Sequence, residues 1–232
     1  MVFLKLTQFW RMIKKKRDIT TIYVLRHGES QSNVYARENP GKAASQFGPL
    51  GSSLTQKGRE QAHSIAKRLQ NVQFDAIFSS DLARAKETAE IIAAGRNLEV
   101  ITNGAIRERS FGEHMSGNQK REIEKELEGL DEKEKFAFKY FPNGESGLDV
   151  VERFEKFLKQ IINEYKNKTI LLVTHGYVMR SFLIYEKFAK FDELLGGSIK
   201  NWGYFIVKTD GNIYKMIDKY GIYHRKDVDD EE

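Results

Sequence analysis

The sequence predicts an α/β fold in three layers, a mostly parallel β-sheet with helices on both faces. Two observations lead there. Short apolar runs of strand length alternate along the chain with longer stretches whose apolar residues recur at helical spacing. One of those runs, "TILLV" at 169–173, is apolar at nearly every position instead of every second one, which is the pattern of a strand covered on both faces. Repeated strand and helix units of this kind give parallel strands joined by right-handed crossovers.

The first segment, residues 1–18, reads "MVFLKLTQFWRMIKKKRD". At helical spacing Val2, Phe3, Leu6, Phe9, Trp10 and Ile13 share one side, while Lys5, Arg11, Lys15 and Lys16 lie mostly on the other. A basic amphipathic leader packs on its domain as an extra helix or tail, or it makes weak contact with an anionic membrane surface or serves in targeting. It also carries the charge of the chain: the formal net charge is +5, and Lys5, Arg11, Lys14, Lys15, Lys16 and Arg17 against Asp18 account for all of it. The remaining 214 residues, the body 19–224 together with the acidic end 225–232, are therefore neutral overall, which removes the argument for a nucleic acid partner. The chain has no cysteine, so disulfides and Cys-based zinc sites are excluded. No run reaches the roughly 18 apolar residues of a spanning helix. The expected location is cytoplasmic, peripheral to a membrane where the leader docks.

Within the body "TIYVL" (21–25) is the first strand, and "LTQKGREQAHSIAKRLQ" from Leu54 is a helix with Thr55 as its N-cap. "FDAIFSS" (74–80) is a second strand, after which Asp81 is placed to cap a helix with Leu82, Ala85, Ala89 and Ile92 inward. "LEVITN" (98–103) is a short third strand. Residues 118–139 are charged with few apolar positions and read as a solvated helix or lid. "GESGLDVVERFEKFLKQIINEY" is a helix with Val151, Phe154, Leu158, Ile161, Ile162 and Tyr165 inward. "TILLVTHG" (169–176) is a buried strand, followed by a helix from about Tyr177 to Phe188. "NWGYFIVKT", "DGN" and "IYKMID" form a terminal hairpin turning at Asp210 and Gly211. The acidic end, 225–232, reads as a solvated tail.

In such a sheet, ligands collect at the carboxyl ends of the strands. Arg26 and His27 follow the first strand, Arg84 the second, Glu108 the third, and His175 follows "TILLVT". A structural histidine gains nothing from a guanidinium beside it, but a neutral imidazole next to fixed positive charge suits attack on an anion. Phosphoryl transfer uses each of these residue types. Arg26 and Arg84 supply bidentate donors for phosphate oxygens. His27 is the nucleophile that forms a phosphohistidine. His175 completes the oxygen clamp, and Glu108 is the acid that protonates the departing alkoxide. A lone His at a strand end, an Arg on a first helical turn or a Glu in a loop is ordinarily structural; the set together is not.

The motifs "LRHGES" with Asn33 beyond it, "LTxxGxxQA" at 54–62, "SSDLxRAxxTA" at 79–89, "RERSFG" at 107–112, "NGES" at 143–146 and "VTHG" at 173–176 resemble the histidine phosphatase superfamily, which contains the cofactor-dependent phosphoglycerate mutases and many small acid phosphatases. The resemblance covers about 25–210. It implies a phosphoglycerate mutase-like fold, His27 as phospho-acceptor, Arg26, Arg84 and His175 as the phosphate pocket, and Glu108 as proton donor. It further implies substrate contacts for Asn33 and Arg109, and neither a metal nor another cofactor. The implied partner is a small phosphorylated substrate, a phosphometabolite or a phosphopeptide. A metal-independent phosphomonoesterase of the histidine acid phosphatase type is the expected activity. The alternatives are a mutase-type phosphotransferase and a regulatory module that binds a phosphorylated ligand. Only 36 residues separate Glu108 from Glu145, without the basic, proline-rich insertion of the mutase branch, which favours hydrolysis. The long segment "ARENPGKAASQFGPLGSS" is expected to shape the substrate mouth, and "GEHMSG" lacks the Trp-Glu pair often found at that point in phosphatases.

Overall fold

The computed structural model describes residues 18–39, 51–110, 112, 117–194 and 197–223. Expectations for the leader, the acidic tail, most of the segment before Leu54 and most of "GEHMSG" lie outside the described residues.

Six strands form one sheet: β1 (Thr20–Arg26), β2 (Ala76–Ser79), β3 (Val100–Thr102), β4 (Thr169–Thr174), β5 (Ile199–Thr209) and β6 (Tyr214–Ile222). Their spatial order is β3-β2-β4-β1-β5-β6. The first four in that order pair in parallel, and β5 and β6 are antiparallel, so the terminal hairpin closes one side. The helices are α1 (Gln31–Glu38), α2 (Gln56–Arg68), α3 (Ala83–Ala93), α4 (Gly117–Glu128), α5 (Glu132–Ala137), α6 (Gly147–Glu164) and α7 (Gly176–Tyr185).

The three layers follow from strand alternation. Ile22 and Val24, Ala76 and Phe78, and Ile170 and Leu172 face one cluster with α6 and α7. Leu25, Ile77, Leu171 and Val173 face the other, built with α2 and α3. Because side chains alternate across a strand, a strand covered on both faces has to be apolar throughout, which is why "TILLV" reads as it does. Helix α6 buries Val150, Val151, Phe154, Phe157, Leu158, Ile161 and Ile162. Phe182 of α7 stacks on Phe205 of β5 at 5.7 Å and meets the edge of Phe154 at 5.5 Å. Truncating such a ring costs about 3–5 kcal/mol.

Three elements depart from expectation. Asp81 does not cap α3: the cap is Leu82, without a side-chain bond, because the Asp81 carboxylate is taken by the Arg107 guanidinium. The charged stretch 118–139 is two helices broken around Gly129, and Phe136 of the second is buried against Gly147, so it is anchored to the domain. Helix α1 is unforeseen; Ser30 and Asn33 form its capping box. Among the described residues no helix is long and apolar enough to cross a membrane.

Candidate active site

Strands β1 and β4 lie parallel with Arg26 opposite Thr174, so the next residue of each chain segment, His27 and His175, emerges at the same edge. The rings are 5.1 Å apart, and the two residues are 2% and 0% exposed. The backbone N–H of His27 donates to the carbonyl of Thr174 at 3.0 Å, extending the ladder by one residue. Arg84 comes from the first turn of α3, after the neighbouring strand β2. Its Nε–H donates to His27 Nε2 at 3.1 Å. Nε2 therefore carries the lone pair, and the Nδ1–H donates to the carbonyl of Gly28 at 2.6 Å.

Burial, then the charges of Arg84 and Arg26, pushes the His27 pKa well below the usual imidazole value. His175 is lowered for the same reasons, burial first. Burial also lowers both guanidinium groups, while the carboxylate of Glu108 opposes that. Among the described residues, both ring nitrogens of His175 and the Nε of Arg26 are buried without a hydrogen-bond partner. Buried polar atoms are nearly always paired, so a cluster of potential donors without partners calls for a ligand, and donors beside fixed cations call for an anionic one. His175 is also the N-cap of α7, where the helix dipole adds to that preference.

The loop carrying His27 is held from several sides. Its Gly28 N–H donates to Thr88 Oγ1 at 3.1 Å, and Glu29 N–H to Gln61 Oε1 at 2.8 Å. Thr55 caps α2 and donates its backbone N–H to Glu29 O at 2.9 Å. Gly58 lies so close to this loop that a Cβ there would fall 1.9 Å from Glu29 O. The "LTxxGxxQA" and "xxTA" motifs thus fasten the nucleophile loop and contribute no reacting group.

Glu108 belongs to a loop that begins at the outer strand β3 yet reaches β4. Thr174 Oγ1 draws it in by donating to Ile106 O at 2.7 Å, and Arg153 Nη1 donates to Ala105 O at 2.7 Å. Glu108 Oε1 accepts from the Arg109 N–H at 2.9 Å. Arg153 is itself gripped by Glu145 at 2.6 Å. Burial alone would raise the Glu145 carboxyl, but Arg153 and the Ser110 N–H hold it below the usual range, so Glu145 is a structural anion.

Among the predicted residues, Arg26, His27, Arg84 and His175 converge on one point, with Glu108 acting electrostatically on both arginines. Arg109 lies to one side, its guanidinium 3.8 Å from the Tyr177 ring centre and 4.7 Å from that of Tyr140, with Nη1 donating to Tyr177 Oη at 2.9 Å. The Oδ1 of Asn33 accepts from Ser30 N, Ser30 Oγ and Asn201 Nδ2, so this side chain organises the loop after His27. Two surface clefts of about 490 and 370 Å³, lined around Glu155 and around Arg96, lie away from these residues.

Residues 22–217 match the histidine phosphatase superfamily (branch 1). The chain belongs to that superfamily. Over 182 residues it is 36% identical to phosphoglycerate mutase-like protein 4 of Arabidopsis thaliana, covering 73% of this chain and 71% of that one. It is 33% identical over 181 residues to the metal-independent phosphoserine phosphatase of the same plant, covering 74% and 71%. The solved structure of Bacillus stearothermophilus YhfR superposes with a TM-score of 0.68 at 29% identity, over 85% of this chain and 95% of that one. The fold is thus the phosphoglycerate mutase-like α/β fold. The residues that reasoning from sequence missed, Thr88, Gln61, Arg153, Tyr177 and Asn201, all support the loops of this superfamily's motifs. Thr88 and Gln61 lie inside the quoted motifs; Arg153 carries no signal in the sequence, since a charge on a helix is ordinarily solvated.

Proposed function

We propose that the protein is a metal-independent phosphomonoester hydrolase working through a phosphohistidine on His27. The observation that carries the reading is the set of unpartnered buried donors on His175 and Arg26 beside the lone pair of His27 Nε2. A phosphoryl group bound there takes up Arg84, Arg26 and His175 and leaves that lone pair facing phosphorus. The N–P bond forms as the ester P–O bond breaks, and Glu108 gives its proton to the departing oxygen. Water then attacks the phosphohistidine, Glu108 takes a proton from it, and phosphate and neutral His27 are regenerated. The preorganised cations stabilise the charge that spreads over the equatorial oxygens in both steps.

Metal independence is part of this reading, because the buried guanidinium groups of Arg26 and Arg84 supply the fixed positive charge at the phosphate oxygens. A nearly closed nucleophile at 2% exposure suits a small phosphorylated molecule better than a folded phosphoprotein. Phosphoserine, the substrate in the name of one relative, is the first candidate, and Arg109 and Asn33 are the residues proposed to meet its remainder. The name of the other relative keeps a mutase in view. Phosphate release from phosphoserine in excess EDTA, with no interconversion of 2- and 3-phosphoglycerate in the presence of 2,3-bisphosphoglycerate, is the expected result. Efficient interconversion with negligible hydrolysis would replace the hydrolase with a mutase.

A further inference from the structure

The antiparallel ladder of β5 and β6 breaks beside the site. Ile199 pairs with Ile222, and pairing resumes only at Tyr204 with Tyr220, so residues 200–203 oppose a single residue on the partner strand. Inside this bulge Trp202 has φ of +82°, a region that bulky side chains rarely enter. The neighbours make room for it: a Cβ on Gly203 would lie 2.7 Å from the carbonyl of Gly221, and one on Gly221 would lie 2.5 Å from the Trp202 ring. Bulges re-aim side chains, and the residue re-aimed here is Asn201. Its Nδ2 donates to His27 O at 3.2 Å and to Asn33 Oδ1 at 3.1 Å. Ile199, the last paired residue before the bulge, accepts a hydrogen bond from Arg26 Nη1 through its carbonyl. Arg26, the last residue of β1, and His27 after it are thus held from the bulge and the pair that flanks it.

We propose that Asn201 is a positioning residue for His27, a role that rests on His27 being the nucleophile. The His27 carbonyl is part of the peptide leading to Gly28, and the carbonyl of Gly28 accepts the Nδ1–H that keeps the lone pair on Nε2. Fixing the first peptide plane fixes the second, and with it the direction of attack. The strained Trp202 backbone is tolerated because the bulge delivers this amide.

The test uses the full chain with p-nitrophenyl phosphate. Asn201→Ala is expected to lower kcat about ten- to a hundredfold, the scale of a misaligned attack, while KM changes less than about threefold. Asn201→Asp sets a carboxylate against two oxygen acceptors; it should lose more activity at pH 7.5 and recover as pH falls toward 5, where a protonated carboxyl donates again. Neither the wild type nor Asn201→Ala should show that recovery, and a purely structural defect would not produce it. An Asn201→Ala enzyme with kcat within twofold of wild type, or an Asn201→Asp loss independent of pH, overturns the proposal. A wild type that forms no phosphohistidine overturns instead the function beneath it, and the role of Asn201 with it.

Discussion

Proton donation from Glu108 matters only for a leaving oxygen that cannot depart as an anion. Glu108→Gln should therefore slow phosphoserine hydrolysis by about a hundredfold or more, the range of a lost general acid, and affect p-nitrophenyl phosphate by less than about tenfold. Comparing kcat/KM for the two substrates in both proteins checks this, and equal losses would remove Glu108 from the acid role. The assignment is local in origin: Thr174 and Arg153 hold the carbonyls of Ile106 and Ala105, and Glu145 is already committed to Arg153. Glu108 is oriented by backbone donors, Oε1 accepting from the Arg109 N–H at 2.9 Å and Oε2 from the Tyr177 N–H at 3.4 Å.

At the scale of elements the decisive contact is the N-terminal turn of α2 against the His27 loop. Gly58→Ala would drive a methyl into Glu29 O, whose distance from such a Cβ is 1.9 Å, and neither backbone can yield without moving the loop. The expected outcome is a fall in kcat of about a hundredfold with a lowered Tm. Gly104→Ala is the control, since its methyl would come no closer than 3.7 Å to its nearest neighbour, the Arg107 side chain. Equal kcat in the two variants would show that the α2 contact does not set the nucleophile. The elements whose identity depends on local pattern were legible in the sequence: β4 from its two-sided apolar run, α6 from its inward stripe, the hairpin from Asp210 and Gly211. What depends on a distant partner was not. Asp81 has a capping residue's chemistry, yet a guanidinium 26 positions away takes its carboxylate. The bulge at 200–203 is invisible in "KNWGY" because its cause is the glycine on the neighbouring strand and the Asn201 bond to a loop 174 positions earlier. The meeting of Arg26, His27, Arg84 and His175 at one sheet edge could be read because parallel strands deliver their carboxyl ends to that edge, whereas the residues that support them sit on helix faces that look solvated in a single sequence.

For the whole molecule, two histidines buried without charge tie stability to pH and to ligand. Their native pKa values lie well below the ordinary imidazole value near 6.5. Below about pH 6.5 the unfolded chain binds protons that the native one refuses, so stability falls as pH falls through the window beneath 6.5. Thermal unfolding should give a Tm that drops between pH 7.5 and 5.5, with a smaller drop in His175→Ala. Vanadate, which fills the clamp, should raise Tm throughout by mass action. A Tm insensitive to both pH and vanadate would mean that the cluster is not a desolvated anion site. The central claim, that the fold brings His27 to a bound phosphoryl group as its acceptor, is tested most directly by trapping. The protein is mixed with a phosphate-labelled phosphomonoester, denatured at alkaline pH within milliseconds, digested and mapped by mass spectrometry. The account predicts base-stable, acid-labile phosphate on His27 in the wild type and none in His27→Ala. Turnover of that substrate with label on another residue, or an unchanged yield of labelled protein in His27→Ala, would contradict it.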